Sequence, residues 1–226
     1  MSDELFVPRE DPRPDDVHWP VAQWPPAPGT HLRGTWVELT PTTQHDAHGL
    51  RHALDHDHVW QHLVGGPLPD DQTARHWITS VLDRGWFPWT VTLLRDVGER
   101  SAGAVVGWSS FLEIAPKDAR LEIGNTAYDP GVWGTVVNPE TKLLLLSYAF
   151  DELHMGRVQL KTDIRNHRSQ QAIARLGAQY EGVLRRYQRR ADSTVRDTVM
   201  FSIIAEDWPE VRRNLSDRVS AYDIPA

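Results

Sequence analysis

The residues best placed to do chemistry lie in the middle third of the chain. Glu122 stands in a strand-like run from Leu121 to Tyr128, and a compact loop follows, Trp133-Gly134-Thr135-Val136-Val137-Asn138, before an apolar helix predicted to start at Pro139. A strand that feeds through a short loop into a helix N-terminus presents unpaired backbone N–H groups at the positive end of the helix dipole. That arrangement suits a phosphate or pyrophosphate. A second polar cluster, Asn166-His167-Arg168-Ser169, follows the next strand-like segment, Val158 to Thr162. In a splayed parallel pair, the ends of these two strands would face one cleft, with the Glu122 carboxylate beside the anion site.

Several chemistries are excluded by pattern. The loop lacks the Gly-Lys-Ser/Thr ending of a triphosphate-binding loop, and the glycine spacing of a dinucleotide fold is absent. A pantetheine cofactor fits what remains, its pyrophosphate on the first helix and its thioester between the strands. Seven of the eleven histidines fall between residues 45 and 76, and His48, His52 and His56 are spaced i, i+4, i+8. One helical face of that kind binds a metal or is simply solvated. With no carboxylate motif beside it, no metal is expected.

The elements that must hold these groups are legible in the patterning. Trp36 to Leu39 reads as a strand, 44 to 63 as helical, and Asp70 to Arg84 as a second helix. Pro88 to Leu94 and Ala104 to Phe111 form an expected hairpin. The helix at Pro139 is punctuated by Asn138 as N-cap and by Gly156 beyond its end near His154. A short helix over 168 to 176, strands over 179–187 and 195–204, and a last helix opened by an Asp207/Glu210 capping box complete a mixed α/β sheet. Residues 8 to 30 hold seven of the sixteen prolines and read as an extended arm that Trp19 and Trp24 pin to the domain or to a partner subunit.

Composition bounds the rest. A chain of 226 residues suits one domain with an arm. It has no cysteine, hence neither disulfide nor thiolate nucleophile, which leans towards a cytoplasmic setting. No apolar run is long enough to span a bilayer, and no membrane partner is expected. A formal charge of −7 argues against general nucleic-acid affinity. Trp60, Trp86, Trp89 and Trp108 are either core or the wall of an acceptor pocket. The basic turn from Arg185 to Arg190 is a solvated hairpin or a steering group for an acidic ligand.

Taken together, Glu122-Ile123-Gly124, Trp133-Gly134-Thr135, Asn138-Pro139-Glu140-Thr141-Lys142, Tyr148-Ala149-Phe150, Leu160-Lys161-Thr162-Asp163, Asn166-His167-Arg168-Ser169, Arg175-Leu176-Gly177-Ala178, Glu181-Gly182 and Arg196-Asp197-Thr198-Val199 resemble the GNAT N-acetyltransferases. The nearest branch is that of the ribosomal-protein N-terminal acetyltransferases. The resemblance covers about residues 34 to 215, leaving an arm over 1–33 and a tail over 216–226. It implies a mostly antiparallel sheet splayed between two central parallel strands, with helices on both faces. It further implies acetyl-CoA as co-substrate, a primary amine (protein N-terminus or small amine) as acceptor, and a possible homodimer.

By the same resemblance Glu122 is the general base, and the backbone N–H of Thr126 donates to the thioester oxygen. The backbone of Tyr128 pairs with pantetheine. Trp133, Gly134, Thr135, Val136, Val137, Asn138 and Glu140 form the pyrophosphate loop and first turn. Asn166 binds the pantetheine arm, and Ser169 protonates the leaving thiolate, because the position of the family's usual tyrosine is Ile173. The alternative for Glu122 is an ion pair with Arg120 or Arg196, and for Ser169 a helix cap. The loop departs from the family pattern at Trp133, Val136 and Asn138, and valine disfavours the positive φ of the glycine it replaces. Without a covalent nucleophile, direct attack in a ternary complex is expected. A non-catalytic CoA-binding module is the alternative function.

Overall fold

Apolar and polar residues alternate from Val37 onward, and this period-two pattern builds one eight-stranded sheet. The computed structural model describes residues 7–11, 18–63, 65–190 and 192–222. In chain order the elements are β1 (Leu32–Arg33), β2 (Val37–Pro41), α1 (Ala47–Leu54), α2 (Asp57–Trp60), α3 (Asp71–Asp83), β3 (Phe87–Leu93), β4 (Val105–Ala115), β5 (Arg120–Tyr128), α4 (Val137–Ser147), β6 (Arg157–Asp163), α5 (His167–Ala174), β7 (Gln179–Arg189), β8 (Val195–Ile204) and α6 (Trp208–Ala221). The strand order is β1-β2-β3-β4-β5-β6-β8-β7, antiparallel throughout except for the parallel pair β5–β6.

That pair is short, and its shortness makes the cleft. β5 and β6 are in register only from Arg120 opposite Arg157 to Glu122 opposite Gln159. Beyond it β5 stays with β4 as far as Tyr128, while β6 stays with β8 as far as Asp163. The divergence coincides with a bulge in β5, where Asn125 and Thr126 oppose the single residue Ser109. Asn125 takes a left-handed φ of 45° there. A bulge bends its strand and increases local twist, which here turns β5 away from β6. Gly107 permits the close packing beside it, since a Cβ at that position would lie 2.1 Å from the carbonyl oxygen of Ala127.

Each face of the sheet carries its own apolar layer. On one, Leu121, Ile123, Val158 and Leu160 join Leu145 and Leu146 of α4 and Val211 and Leu215 of α6. On the other, Trp108 packs with Leu50, Ala53, Trp60 and Ile78 of the α1–α3 layer. The Trp77 ring stacks on Trp108 with centroids 3.5 Å apart.

Several expected boundaries move for local reasons. The histidine-rich stretch is not one helix: a 3-10 turn over Gln44–Asp46, held by a Thr43/Asp46 capping box, precedes α1, and α1 stops at Leu54. The Leu54 carbonyl accepts from Trp60 Nε1 at 2.7 Å, and His56 is extended, so it leaves the face that His48 and His52 share. α4 starts earlier than expected, at Val137. Its N-cap is Val136, without a side-chain cap, and Asn138 lies inside the first turn. The helix passes into a π-helical turn over Tyr148–Glu152, and His154 closes it with φ 54°. Asp207 does not cap α6 with its side chain. Its carboxylate accepts instead from the Ile204 backbone at 3.3 Å and Gln179 Nε2 at 3.2 Å.

The ordered packing extends beyond the expected 34–215 unit. Leu32 and Arg33 pair with β2, and α6 runs on to Ala221 with Val219 in the core. In the arm, the Trp24 ring meets Phe87 and Phe111 edge-on, and Trp19 Nε1 donates to the carbonyl of Asp118. The parts of the expected arm and tail at 1–6, 12–17 and 223–226 lie outside the described residues.

Candidate active site

The wedge between β5 and β6 opens into a cavity of about 780 Å³. Glu122 stands at its apex, where the parallel pairing ends. Its carboxylate is buried, and the space it bends into exists because residue 124 is glycine: a Cβ there would lie 2.6 Å from Glu122 Oε1. Its partner is Lys161, at 2.8 Å, rather than Arg120 or Arg196. The register explains the choice. Glu122 pairs with Gln159, so Lys161, two residues further along β6, projects from the same face. Lys161 also pairs with Glu113, which accepts from Gln159 Nε2 at 2.7 Å and from Tyr187 Oη at 3.3 Å. Burial, with the like charge of Glu113, pushes the Glu122 carboxyl above its ordinary range against the pull of Lys161. The Lys161 ammonium, although largely buried, is held well above the ordinary lysine range by its two carboxylate partners.

The other side of the wedge is built by α4 and α5. Trp133, Gly134, Thr135 and Asn138 line it, and Trp133 Nε1 donates to the Tyr128 carbonyl at 2.9 Å, which holds the loop against β5. The left-handed residue of the loop is Gly134, with φ 76° and open space around its α-carbon, whereas Val136 is right-handed helical. The departure of Val136 from the family pattern is therefore met by a different residue. Arg168 stacks over the Trp133 ring with its Cζ 3.8 Å from the centroid, and His58 approaches the same ring edge-on. On α5 the helix cap is Asn166, whose Oδ1 accepts from Ser169 N at 3.0 Å. Ser169 is not the cap. Its hydroxyl lines the cavity and makes no hydrogen bond among the described residues.

Three expected cofactor ligands are not brought to the cavity. Glu140 is turned away, and its carboxylate accepts from the backbone N–H groups of Thr35 (2.8 Å), Trp36 (2.7 Å) and Val37 (2.7 Å). It ties α4 to the β1–β2 turn. The side chains of Val136 and Val137 are buried in the main core instead. Thr126 and Tyr128 do line the cavity. Of the four candidate tryptophans only Trp86 lines it, while Trp60, Trp89 and Trp108 are core.

One residue of the site was missed altogether. Lys142, one turn after Asn138 on the same face of α4, sends its buried Nζ to Thr126 Oγ1 (2.7 Å) and Ser109 Oγ (3.0 Å) at the bulge. Those two hydroxyls also bond each other at 2.8 Å. Burial lowers the Lys142 amine to about 7, partly opposed by Glu122. The available signal was the one cation of a helix rich in leucine, four residues after Asn138.

The GNAT acetyltransferase-domain family model matches residues 37–179, more than half of the sequence. The chain belongs to the GNAT acetyltransferase family. Among curated relatives of this GNAT protein, the uncharacterized N-acetyltransferase p20 of Bacillus licheniformis is 32% identical over 106 residues, 46% of this chain. The match spans 57% of that relative's own length. A candidate acetyltransferase of T. thermophilus is 33% identical with a TM-score of 0.75, covering 87% of this chain and 99% of its own. Mycobacterium smegmatis RimJ, solved with CoA-disulfide, superposes with a TM-score of 0.66 over 80% of this chain and 88% of its own. At 18% identity it speaks for the fold alone.

The residues present fit an acetyl-CoA-type co-substrate. Val136 gives α4 no side-chain cap, and although Val137 N donates to Thr135 Oγ1 at 3.4 Å, Asn138 in the first turn lines the cavity where the helix terminus can meet an anion. Asn125 Nδ2, in the cavity wall, is buried without a partner among the described residues. Leu160, Ala172, Ile173 and Leu176 give the wedge an apolar lining. Among the described residues no group of three or more histidines and carboxylates is placed to hold a metal, and no helix is long and apolar enough to cross a membrane. His48 instead meets Asp71 at 3.2 Å and the His52 ring edge-on.

Proposed function

We propose that this protein transfers an acetyl group from acetyl-CoA to a primary amine by direct attack within a ternary complex, in a cytoplasmic setting. The observation that carries the reading is the placement of Glu122, a buried carboxylate at the apex of the wedge, across from the uncapped α4 terminus and Ser169.

Acetyl-CoA supplies an activated thioester carbonyl when bound. The chain's own groups do the rest. The α4 terminus with Gly134, Thr135 and Asn138 receives the pyrophosphate, with Arg168 at its edge, and the Asn166 amide nitrogen remains available to the pantetheine arm. Glu122 accepts the proton of the attacking amine. Its raised affinity for protons suits that task near neutral pH better than an ordinary surface carboxylate would. An α-amine, with a pKa near 8, gives up its proton far more readily than a lysine amine near 10.4, which favours acceptors of the first kind. The Thr126 N–H stabilises the developing oxyanion. Lys142 fixes the bulge on which that N–H sits, and Ser169 returns a proton to the thiolate.

The test is CoA release from acetyl-CoA across a panel of amines, with Glu122→Gln and Ser169→Ala beside the parent. Turnover is expected with at least one amine, reduced by about 10²-fold or more in Glu122→Gln. Acetyl-CoA that raises the melting temperature without turnover on any amine would favour a binding module, and no protection at all would sink both readings.

A further inference from the structure

Arg196 is a buried guanidinium without a counter-ion. It is 9% exposed, it lines the cavity, and its Nε makes no hydrogen bond. Among the described residues no carboxylate stands within ion-pair distance of it. The nearest candidates are already engaged: both oxygens of Asp163 are taken by Arg190, and Glu122 and Glu113 share Lys161. Asp163 and Glu122 act on Arg196 only from beyond contact, and a buried charge without a direct partner is costly to a fold and is ordinarily matched by one.

The register places Arg196 on the same face of the sheet as Glu122. Glu122 pairs with Gln159, Gln159 with Ser202, and the alternation along β8 then carries Met200, Thr198 and Arg196 on that same face. The α4 and α5 helices, which by the acetyl-transfer reading hold the pyrophosphate and the pantetheine arm, cover the opposite face with Leu121, Val158 and Leu160. The surroundings are positive although the chain is formally −7 overall. Arg84 also lines the cavity. His62 is shifted towards its neutral form by burial and by Arg168, Arg190 and Arg196, with only Asp163 opposing. A guanidinium presents a rigid fork of donors that matches a carboxylate in two parallel bonds.

We propose that Arg196 binds a carboxylate carried by the acceptor, so that the preferred substrate is an amine bearing an anionic group. This rests on the acetyl-transfer reading above, and the experiment separates the two. Glutarate, a dicarboxylate without an amine, is titrated calorimetrically into the CoA-loaded protein and its Arg196→Gln and Arg196→Lys variants. Binding to the parent protein is expected, weakened roughly ten-fold or more by Arg196→Gln, with CoA affinity unchanged. Acetylation rates for the α-amides of glutamate against glutamine and of aspartate against asparagine, which differ only in the side-chain carboxylate, and for the free amino acids against their α-amides, give the second readout, and the same residues at the head of a short peptide distinguish a free amino acid from a chain terminus. Preference for the acid within a pair, collapsing in Arg196→Gln, is the expected result. Glutarate binding without turnover of any amine would leave the anion site standing and remove the transferase reading. No glutarate binding, equal rates for acid and amide, or loss of CoA affinity in the variants would overturn the proposal. Should Arg196→Gln fail to fold, glutarate binding and the acid-to-amide ratio of the parent protein decide it.

Discussion

At the scale of single residues, the site is a set of charges held away from their ordinary behaviour. Glu122 is buried beside Lys161, and its carboxyl is pushed up by that burial. The acceptor's own ammonium gives one acid limb in kcat/KM. Loss of the Glu122 carboxylate adds a second, at a pH above the usual carboxylate value of about 4.3. The logarithmic slope should therefore steepen from one to two at low pH and stay at one in Glu122→Gln. A slope of two in both proteins would remove Glu122 as the base. Lys142 makes a separate prediction. Below pH 7 it is charged in the folded and unfolded chain alike, and burial makes that charge unfavourable to the fold. Between about 7 and the ordinary lysine value of about 10.4, the folded chain alone releases the proton, so the unfolded state binds more protons and stability rises with pH. Lys142→Met, which leaves Ser109 and Thr126 bonded to each other, should be the more stable protein at pH 6 by on the order of a few kcal/mol. The difference should shrink by pH 9, as followed by denaturant melts; a pH-independent difference would show that the amine is not perturbed.

At the scale of elements, the wedge depends on two joints outside the chemistry. Glu140 joins α4 to the β1–β2 turn through three backbone N–H groups. Glu140→Gln replaces one acceptor oxygen by a donor and should cost about 2–4 kcal/mol of stability while acetyl-CoA affinity, compared by calorimetry, holds. Loss of affinity with stability intact would return Glu140 to the cofactor site. Gly107 is the second joint. Gly107→Ala drives a methyl group into the Ala127 carbonyl beside the bulge and should destabilise by about 2 kcal/mol or more in urea melts. Sequence patterning gave these elements their type more securely than their ends. Period-two alternation and turn residues located every strand from β2 onward. The break after Leu54 escaped because it is held by the long-range reach of Trp60 Nε1, and the start of α4 because Val136 carries none of the side-chain signals of a cap. Of the candidate site, Glu122 was legible as the one carboxylate of a strand that runs into an anion loop, and Asn166 and Ser169 as a polar cluster between a strand and a helix start. Lys142, Lys161 and the direction of Glu140 were not, since they depend on which strands diverge and which loop a helix meets.

At the scale of the molecule, an acidic chain encloses a cleft lined with arginine and lysine. Such a cleft attracts anionic ligands. Acetyl-CoA should therefore raise the melting temperature with the logarithm of its excess over Kd, and the gain should fall as salt is raised. A salt-independent gain would place the phosphates away from the cationic wall.

The most direct test of the account is two-substrate kinetics with mass detection of the acetylated amine. Acetyl-CoA and amine varied against each other should give intersecting double-reciprocal lines, product only when both are present, and a loss of about 10²-fold or more in Glu122→Gln. Parallel lines, an acetylated enzyme formed without amine, or full activity in Glu122→Gln would contradict it.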